Sequence, residues 1–261
     1  MVSRRSTKSP SANRPPPSTV NRPPPLEATN LLLAALPKTD RDRLAPALET
    51  IPLKLKVVLH KPGEAVRHVY FPTGGFCSIV TVLEDGRMVE VATIGREGAV
   101  GVSAVLDGRR VSSASMVQGE ADTCYRMSAD TFRHEMDRHG PFYDLLTGYT
   151  QALIGFIMQS TACNAVHSVE QRLARWLLTA HDRMRSDEYP LTQEFVAMML
   201  GVARPTVTVV AGTLQKARLI TYQRGTVTIV NRQKLEASSC ECYRTCTDLL
   251  NGVTSDRKPS R

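Results

Sequence analysis

The chain of 261 residues is 42% hydrophobic and 22% charged, with one Trp, six Cys and a formal net charge of +8. That apolar content suffices for one or two globular domains and excludes a wholly disordered or collagen-like chain. The charge is stepped: residues 1–25 carry five Lys/Arg and no acid, residues 26–167 carry 14 basic against 16 acidic side chains, and residues 168–261 carry 14 against 9. A mildly acidic front therefore precedes a basic back that suits an anionic partner.

Seven of the 16 prolines fall within the first 25 residues, twice as PPP, among Ser, Arg and Asn. Such a segment buries too little to offset its ordering entropy, so residues 1–28 are expected to be a disordered Pro/Arg-rich arm. The polar start offers no secretory signal. The longest charge-free run, 145–169, is interrupted by Gln151, Gln159 and Asn164, which argues against a membrane span. With six unevenly spaced cysteines, these features predict a cytoplasmic protein with reduced thiols and no membrane partner.

A short apolar helix is predicted over 31–36, ended by Pro37. Strands follow at Leu53–Leu59, His68–Phe71, Phe76–Leu83, Met88–Ile94 and Ala114–Met127, separated by Pro62-Gly63, Pro72-Thr-Gly-Gly75, Glu84-Asp-Gly86 and Asp107-Gly108. This spacing predicts an antiparallel jelly roll over 29–138. His60, Glu64 and His68 could suggest a cupin-type metal site, and a cupin-like metal-dependent enzyme with an accessory helical domain is the alternative reading. Pro62-Gly63 breaks their shared strand face, so they are read as turn and surface residues. No catalytic motif appears, and the chain is not expected to be an enzyme.

Near Pro141 the apolar period changes from two to about 3.6. Phe142, Leu145, Tyr149, Leu153, Phe156, Ser160, Cys163 and His167 form one stripe on a helix of roughly 39 Å at 1.5 Å per residue. Phe142, Leu145, Tyr149, Leu153, Phe156 and Ser160 are expected to join two copies over 139–167; the plainer alternative lays the helix across its own domain. Ser168 and Gln171 fit a capping box that opens the next helix.

Residues 192–214 read as helix, turn, helix. Thr192 caps the first helix, Gly201 ends it in a left-handed conformation, and Pro205 sits in the opening turn of the second. Ala197 suits a close crossing, with Val196, Leu200, Val202, Val207 and Val210 as shared core. Leu219–Tyr222 and Thr226–Val230, joined by Gln223-Arg-Gly225, predict a hairpin wing. Thr192, Arg204, Pro205, Thr206, Thr208, Lys216, Arg218 and Arg224 are the candidate DNA-binding residues, and phosphate contacts would supply most of the affinity. Cys240, Cys242 and Cys246 are read as small buried thiols rather than an iron–sulfur site.

The order of β domain, long helix and winged helix resembles the Crp/Fnr family of bacterial transcription regulators over roughly 31–250. The likeness is carried by LTQEFVAMMLGVARPTVTVVAGTLQKARLI, VYFPTGGFCSIV and GREGAVGVSAVLDG. It implies an α+β chain with a cyclic-nucleotide-binding-like sensor domain over 29–138, a dimerisation helix over 139–167, a winged helix-turn-helix over 168–250 and a flexible tail over 251–261. It also implies a homodimer on a near-palindromic double-stranded operator, with RNA polymerase as a candidate partner. By the resemblance Arg204 contacts guanine and backbone, while Thr206 and Thr208 meet phosphate or a thymine methyl. Pro205 and Val209 stand where the cyclic AMP receptor protein has a Glu and a base-reading Arg, so a different operator is expected.

The resemblance places the effector pocket at Gly101, Val102, Arg109, Arg110, Val111 and Ser112. Gly101-Val102 and Val111-Ser112 replace the ribose-binding Gly-Glu and the phosphate-binding Arg-Ser/Thr pairs. Without those charged anchors cyclic AMP is not expected to bind; the effector would be an unknown small molecule, and no other cofactor is expected.

Overall fold

The computed structural model describes residues 30–102 and 110–255. The expected arm, the GREGAVGVSAVLDG run beyond Val102 as far as Gly108, Arg109 of the expected pocket, and 256–261 of the expected tail lie outside the described residues.

Two short helices open the chain, α1 (Leu31–Ala34) and α2 (Lys38–Leu44). Asn30 caps α1 by accepting from Leu33 N, while its amide donates to the carbonyls of Pro72 and Gly98. These buried bonds tie the start of the chain to the β domain. Seven strands follow: β1 (Glu49–Leu53), β2 (Val58–His60), β3 (His68–Pro72), β4 (Phe76–Val82), β5 (Met88–Ile94), β6 (Ala114–Gly119) and β7 (Ala121–Ser128). They form two antiparallel sheets, ordered β1-β7-β3 and β2-β6-β4-β5. Val69, Phe71, Tyr125 and Met127 from the first sheet join the main core, and Cys77, Ile94 and Val117 from the second pack beside it.

The sequence-predicted 53–59 strand is instead two strands, turning at Lys56 (φ 66). The predicted 114–127 strand breaks at Glu120, so its halves serve different sheets. Ala129–Asp137 forms an additional helix, α3, capped by Ser128, whose Oγ accepts from Thr131 N.

The helix α4 spans Pro141–Val166, the predicted range. Its predicted dimer stripe faces inward. Phe142, Leu145, Tyr149, Phe156 and Ser160 are buried, and Leu153 packs half-buried against the core of its own protomer. Tyr149 Oη donates to Ala99 O at 3.2 Å. These six residues are therefore not a free interface: the β domain and the chain's last helix consume that stripe, as in the plainer alternative.

The capping box is present at α5 (Val169–Met184): Ser168 Oγ accepts from Gln171 N, and Gln171 Oε1 accepts from Ser168 N. The segment read as a polar loop contains β8 (Glu188–Pro190). Then come α6 (Gln193–Leu200), α7 (Arg204–Lys216), β9 (Ile220–Gln223), β10 (Thr226–Ile229), α8 (Arg232–Ser238) and α9 (Cys242–Ser255). The expected tail thus begins inside a helix: 251–255 are helical, and Cys246 and Leu250 of α9 join the main core beside Phe156. No single helix among the described residues is long and apolar enough to cross a membrane.

Candidate nucleic-acid interface

Thr192 Oγ1 accepts from Phe195 N at 3.2 Å and fixes the start of α6. Gly201, at φ 64, ends that helix in the left-handed region, and Val202 N donates back to Ala197 O at 3.0 Å. The chain then re-enters a helix at Arg204, with Pro205 in its first turn, and the two axes are bent by 106°. Val196, Ala197, Leu200 and Val207 are buried at the crossing, with Val202 and Val210 packed against them. This is the helix-turn-helix angle that leaves one face of the second helix free.

On that face Arg204, Pro205, Thr208 and Val209 are exposed and Thr206 is half-buried. Thr208 Oγ1 donates to Gln193 Oε1 at 2.7 Å, so Gln193 joins the site. Sequence reasoning missed it, although its place directly after the Thr192 cap was a usable signal. Val209 is 69% exposed, an apolar side chain that suits a thymine methyl rather than a polar base edge.

The wing is the β9–β10 hairpin in a three-stranded sheet ordered β8-β10-β9. Gln223 pairs with Thr226, leaving Arg224 (φ 50) and Gly225 (φ 79) as a two-residue turn. Two positive φ values match the mirror-image turn whose twist suits a tight hairpin. A Cβ on Gly225 would lie 3.7 Å from Thr192 Cγ2, so the wing tip stands beside the α6 cap. Arg204, Lys216, Arg218 and Arg224 are all exposed, and none has a salt-bridge partner among the described residues. Unpaired cations thus stand at both ends of α7 and at the wing tip, an arrangement that suits a phosphate backbone.

The same half is docked on the β domain. Trp176 Nε1 donates to Glu90 Oε1 at 2.8 Å, and Ser78 Oγ donates to Glu90 Oε2 at 2.5 Å. Burial pushes the Glu90 carboxyl up to about 7 despite these bonds. Arg183 reaches Glu97 at 2.6 Å and Thr93 O at 3.0 Å, and also bonds Thr93 Oγ1. Arg172 donates to Leu200 O at the end of α6.

The expected effector residues divide. Arg110 and Val111 line a cavity of about 550 Å³ with His60, Lys61, Arg67 and His68, and Arg110 Nη1 donates to Gly63 O at 2.8 Å. Ser112 is exposed. Val102 does not face this cavity: it is 2% exposed within the main core. Gly101 adopts φ 97, and a Cβ there would lie 2.7 Å from His60 Cε1, so it serves a close backbone approach. His60 is buried, not a surface residue: Nε2 lies 2.9 Å from His68 O and Nδ1 3.3 Å from Ser115 Oγ. Burial lowers its pKa, and both nitrogens are engaged, which does not suit a metal ligand. Among the described residues, one group brings three or more potential ligands together, Cys163, His167, Cys240 and Cys242.

Two family models match the chain, the cyclic nucleotide-binding domain over 52–139 and the Crp-like helix-turn-helix domain over 171–238. No curated protein matches by sequence. Among solved structures, a crp/fnr-family transcriptional regulator from Eubacterium rectale is similar at 19% identity and TM-score 0.62, covering 82% of this chain and 97% of that one. A CRP-family transcriptional regulator from Thermus thermophilus is similar at 18% identity and TM-score 0.60, covering 72% and 96%. FixK2 from Bradyrhizobium japonicum is similar at 14% identity and TM-score 0.61, covering 74% and 98%. At such identities the likeness establishes the fold. The two matched domains together define a DNA-binding transcription regulator. They take in more than half of the chain, which belongs to the Crp/Fnr family.

Proposed function

We propose that the chain acts as a homodimer that reads a near-palindromic operator, with Arg204 at the base edges and Arg224, Lys216 and Arg218 on phosphates. The observation that carries this reading is the exposed Arg204, without a salt-bridge partner among the described residues, at the start of the recognition helix of a helix-turn-helix whose Thr192 cap lies beside the wing tip. The dimer surface is the outer face of α4 rather than the inner stripe. Thr147, Gln151, Ile154, Met158, Thr161 and Ala165 are all exposed and alternate steps of four and three, the spacing of a two-helix seam. Ile154 is 48% and Met158 67% exposed.

The effector is a small anion other than cyclic AMP. Lys61, Arg67 and Arg110 surround the β-domain cavity with Glu64 as the acid in its lining, while the charged anchor pairs of a cyclic-nucleotide cassette are replaced at 101–102 and 111–112. Binding there would act on the recognition helices through the Trp176–Glu90 and Arg183–Glu97 contacts.

Selection of bound sites from random duplex DNA tests the operator reading. The expected product is an inverted repeat with half-sites about 34 Å apart, one helical turn. Enrichment of no motif would contradict it.

A further inference from the structure

Four side chains with metal-ligating atoms meet where the long helix ends. Cys163 lies in the last turn of α4 and His167 is its C-cap. Cys240 precedes α9, and Cys242 opens it. All four lie outside both stretches matched by the family models. The three cysteines are buried and the histidine is half-buried.

The spacing of these atoms is close to that of a tetrahedral ligand set. The four ligand atoms lie within 4.8 Å of one another. Cys163 Sγ is 3.5 Å from Cys240 Sγ, and Cys242 Sγ is 3.6 Å from His167 Nδ1. Tetrahedral zinc with Zn–S bonds of about 2.3 Å has sulfur–sulfur edges of about 3.8 Å. The cysteines are free thiols, and the 3.5 Å sulfur separation is far longer than a disulfide bond of about 2.05 Å.

An outer layer of partners is also in place. His167 Nε2 lies 3.3 Å from Glu241 Oε1, which favours the proton on Nε2 and leaves Nδ1 as the ligand. This carboxylate–histidine arrangement is the usual support of a metal-bound imidazole. Gln159 Nε2 donates to Cys242 Sγ at 3.0 Å, a bond that a metal-bound sulfur can also accept. Arg172 and Arg175 are buried, each with an Nε that lacks a hydrogen-bond partner among the described residues. Both lie within charge range of the cluster, Arg172 of Cys163 and Cys240 and Arg175 of Cys163, although burial pushes the Cys163 thiol up to about 12. Three thiolates and a neutral imidazole around a dication leave one net negative charge, which these guanidiniums offset.

We propose that Cys163, His167, Cys240 and Cys242 bind one zinc ion through three sulfurs and one nitrogen, fastening the C-terminal helix to the end of the long helix. On binding, the three thiols lose their protons to solvent, and no electron is transferred. The site adjoins Ser168, where the chain enters the DNA-binding half, so the ion would stiffen the joint between the two halves. This inference is independent of the operator and effector readings.

The test uses the full chain purified under reducing conditions, stripped with a chelator and then titrated with Zn²⁺ or Co²⁺. The expected results are one zinc per chain and, with cobalt, the intense visible bands and thiolate charge transfer of a tetrahedral site. Cys163→Ser and Cys242→Ser should each weaken zinc binding by more than the roughly 10- to 100-fold typical of losing an outer-shell partner. Cys246→Ala, buried outside the cluster, should leave the stoichiometry at one. A wild-type protein without stoichiometric zinc binding, an octahedral cobalt spectrum, or undiminished binding by the Cys163→Ser/Cys242→Ser double variant would overturn the proposal. The cobalt spectrum of the wild type decides the matter even where a variant fails to fold.

Discussion

Six arginines of the DNA-binding half form two contrasting sets. Arg204, Arg218 and Arg224 are exposed, with no acid paired to them among the described residues. Arg172, Arg175 and Arg183 are each buried to within 8% of full enclosure. Arg183 holds Glu97 and Thr93 of the β domain, and Arg172 holds the end of α6. One residue type thus performs two tasks, and solvent access separates them. Desolvating a guanidinium is costly, and Arg183 offsets it through Glu97 and Thr93, whereas an exposed one is free to replace counterions on a polyanion. Substitutions in the first set should change DNA binding and spare the fold; those in the second should do the reverse.

The largest effect is expected at the seam. Arg183→Ala removes the cation from Glu97 and should cost about 3–5 kcal/mol of stability, because a mostly buried carboxylate is left unpaired. Denaturant unfolding followed at Trp176 measures it. A loss comparable to a surface substitution would merge the two populations.

The next effect is a pH dependence of the same seam. The Glu90 carboxyl is raised from an ordinary value of 4.5 to about 7, so the folded chain prefers it protonated. The stabilisation this brings is complete below pH 4.5 and is lost as pH rises through about 7. Glu90→Gln keeps the carbonyl that accepts from Trp176 but cannot ionise. Wild type should lose on the order of 1–3 kcal/mol relative to Glu90→Gln between pH 5 and pH 8. Parallel stability curves for the two proteins would contradict this assignment.

A smaller effect is expected at the wing. Arg224→Ala should weaken binding to all duplexes alike and lower the salt slope by about 1, the signature of one lost phosphate contact. Thermal unfolding should be unchanged. A change in base preference would move Arg224 from backbone contact to base reading.

Outside this comparison, Met158→Glu on the outer face of α4 should yield folded monomers with weak operator binding, as sedimentation can establish. A charge at Phe156, 3% exposed against the core, should instead unfold the protomer.

Much of the fold is legible in the sequence because its signals are local. The helix over 141–166, the Ser168 capping box and the Thr192, Gly201 and Pro205 punctuation of the helix-turn-helix each need only a few neighbouring residues. What a stripe packs against is not local. The periodicity of α4 marks an apolar face, but α9, which covers part of it, lies some 80 residues downstream and shows no early apolar run. The exposed outer face at Ile154 and Met158 is weakly apolar because Thr147, Gln151 and Thr161 share it, so the inner stripe dominates the pattern. The cysteines follow the same rule. Cys240 and Cys242 alone look like small buried thiols, and only the fold brings Cys163 and His167 to them. The split of 114–127 was hidden because Gly119 and Ala121 interrupt a β-rich run without a strong turn signal.

The central claim is that Arg204 reads sequence while the surrounding cations supply general affinity. Its most direct test compares wild type with Arg204→Ala on a selected operator half-site and on a scrambled duplex, at two salt concentrations. The expected result is a loss of roughly 1–3 kcal/mol on the selected site, relaxed preference at one base position and little change on the scrambled duplex. An equal loss on both duplexes would contradict it and assign Arg204 to the phosphate backbone.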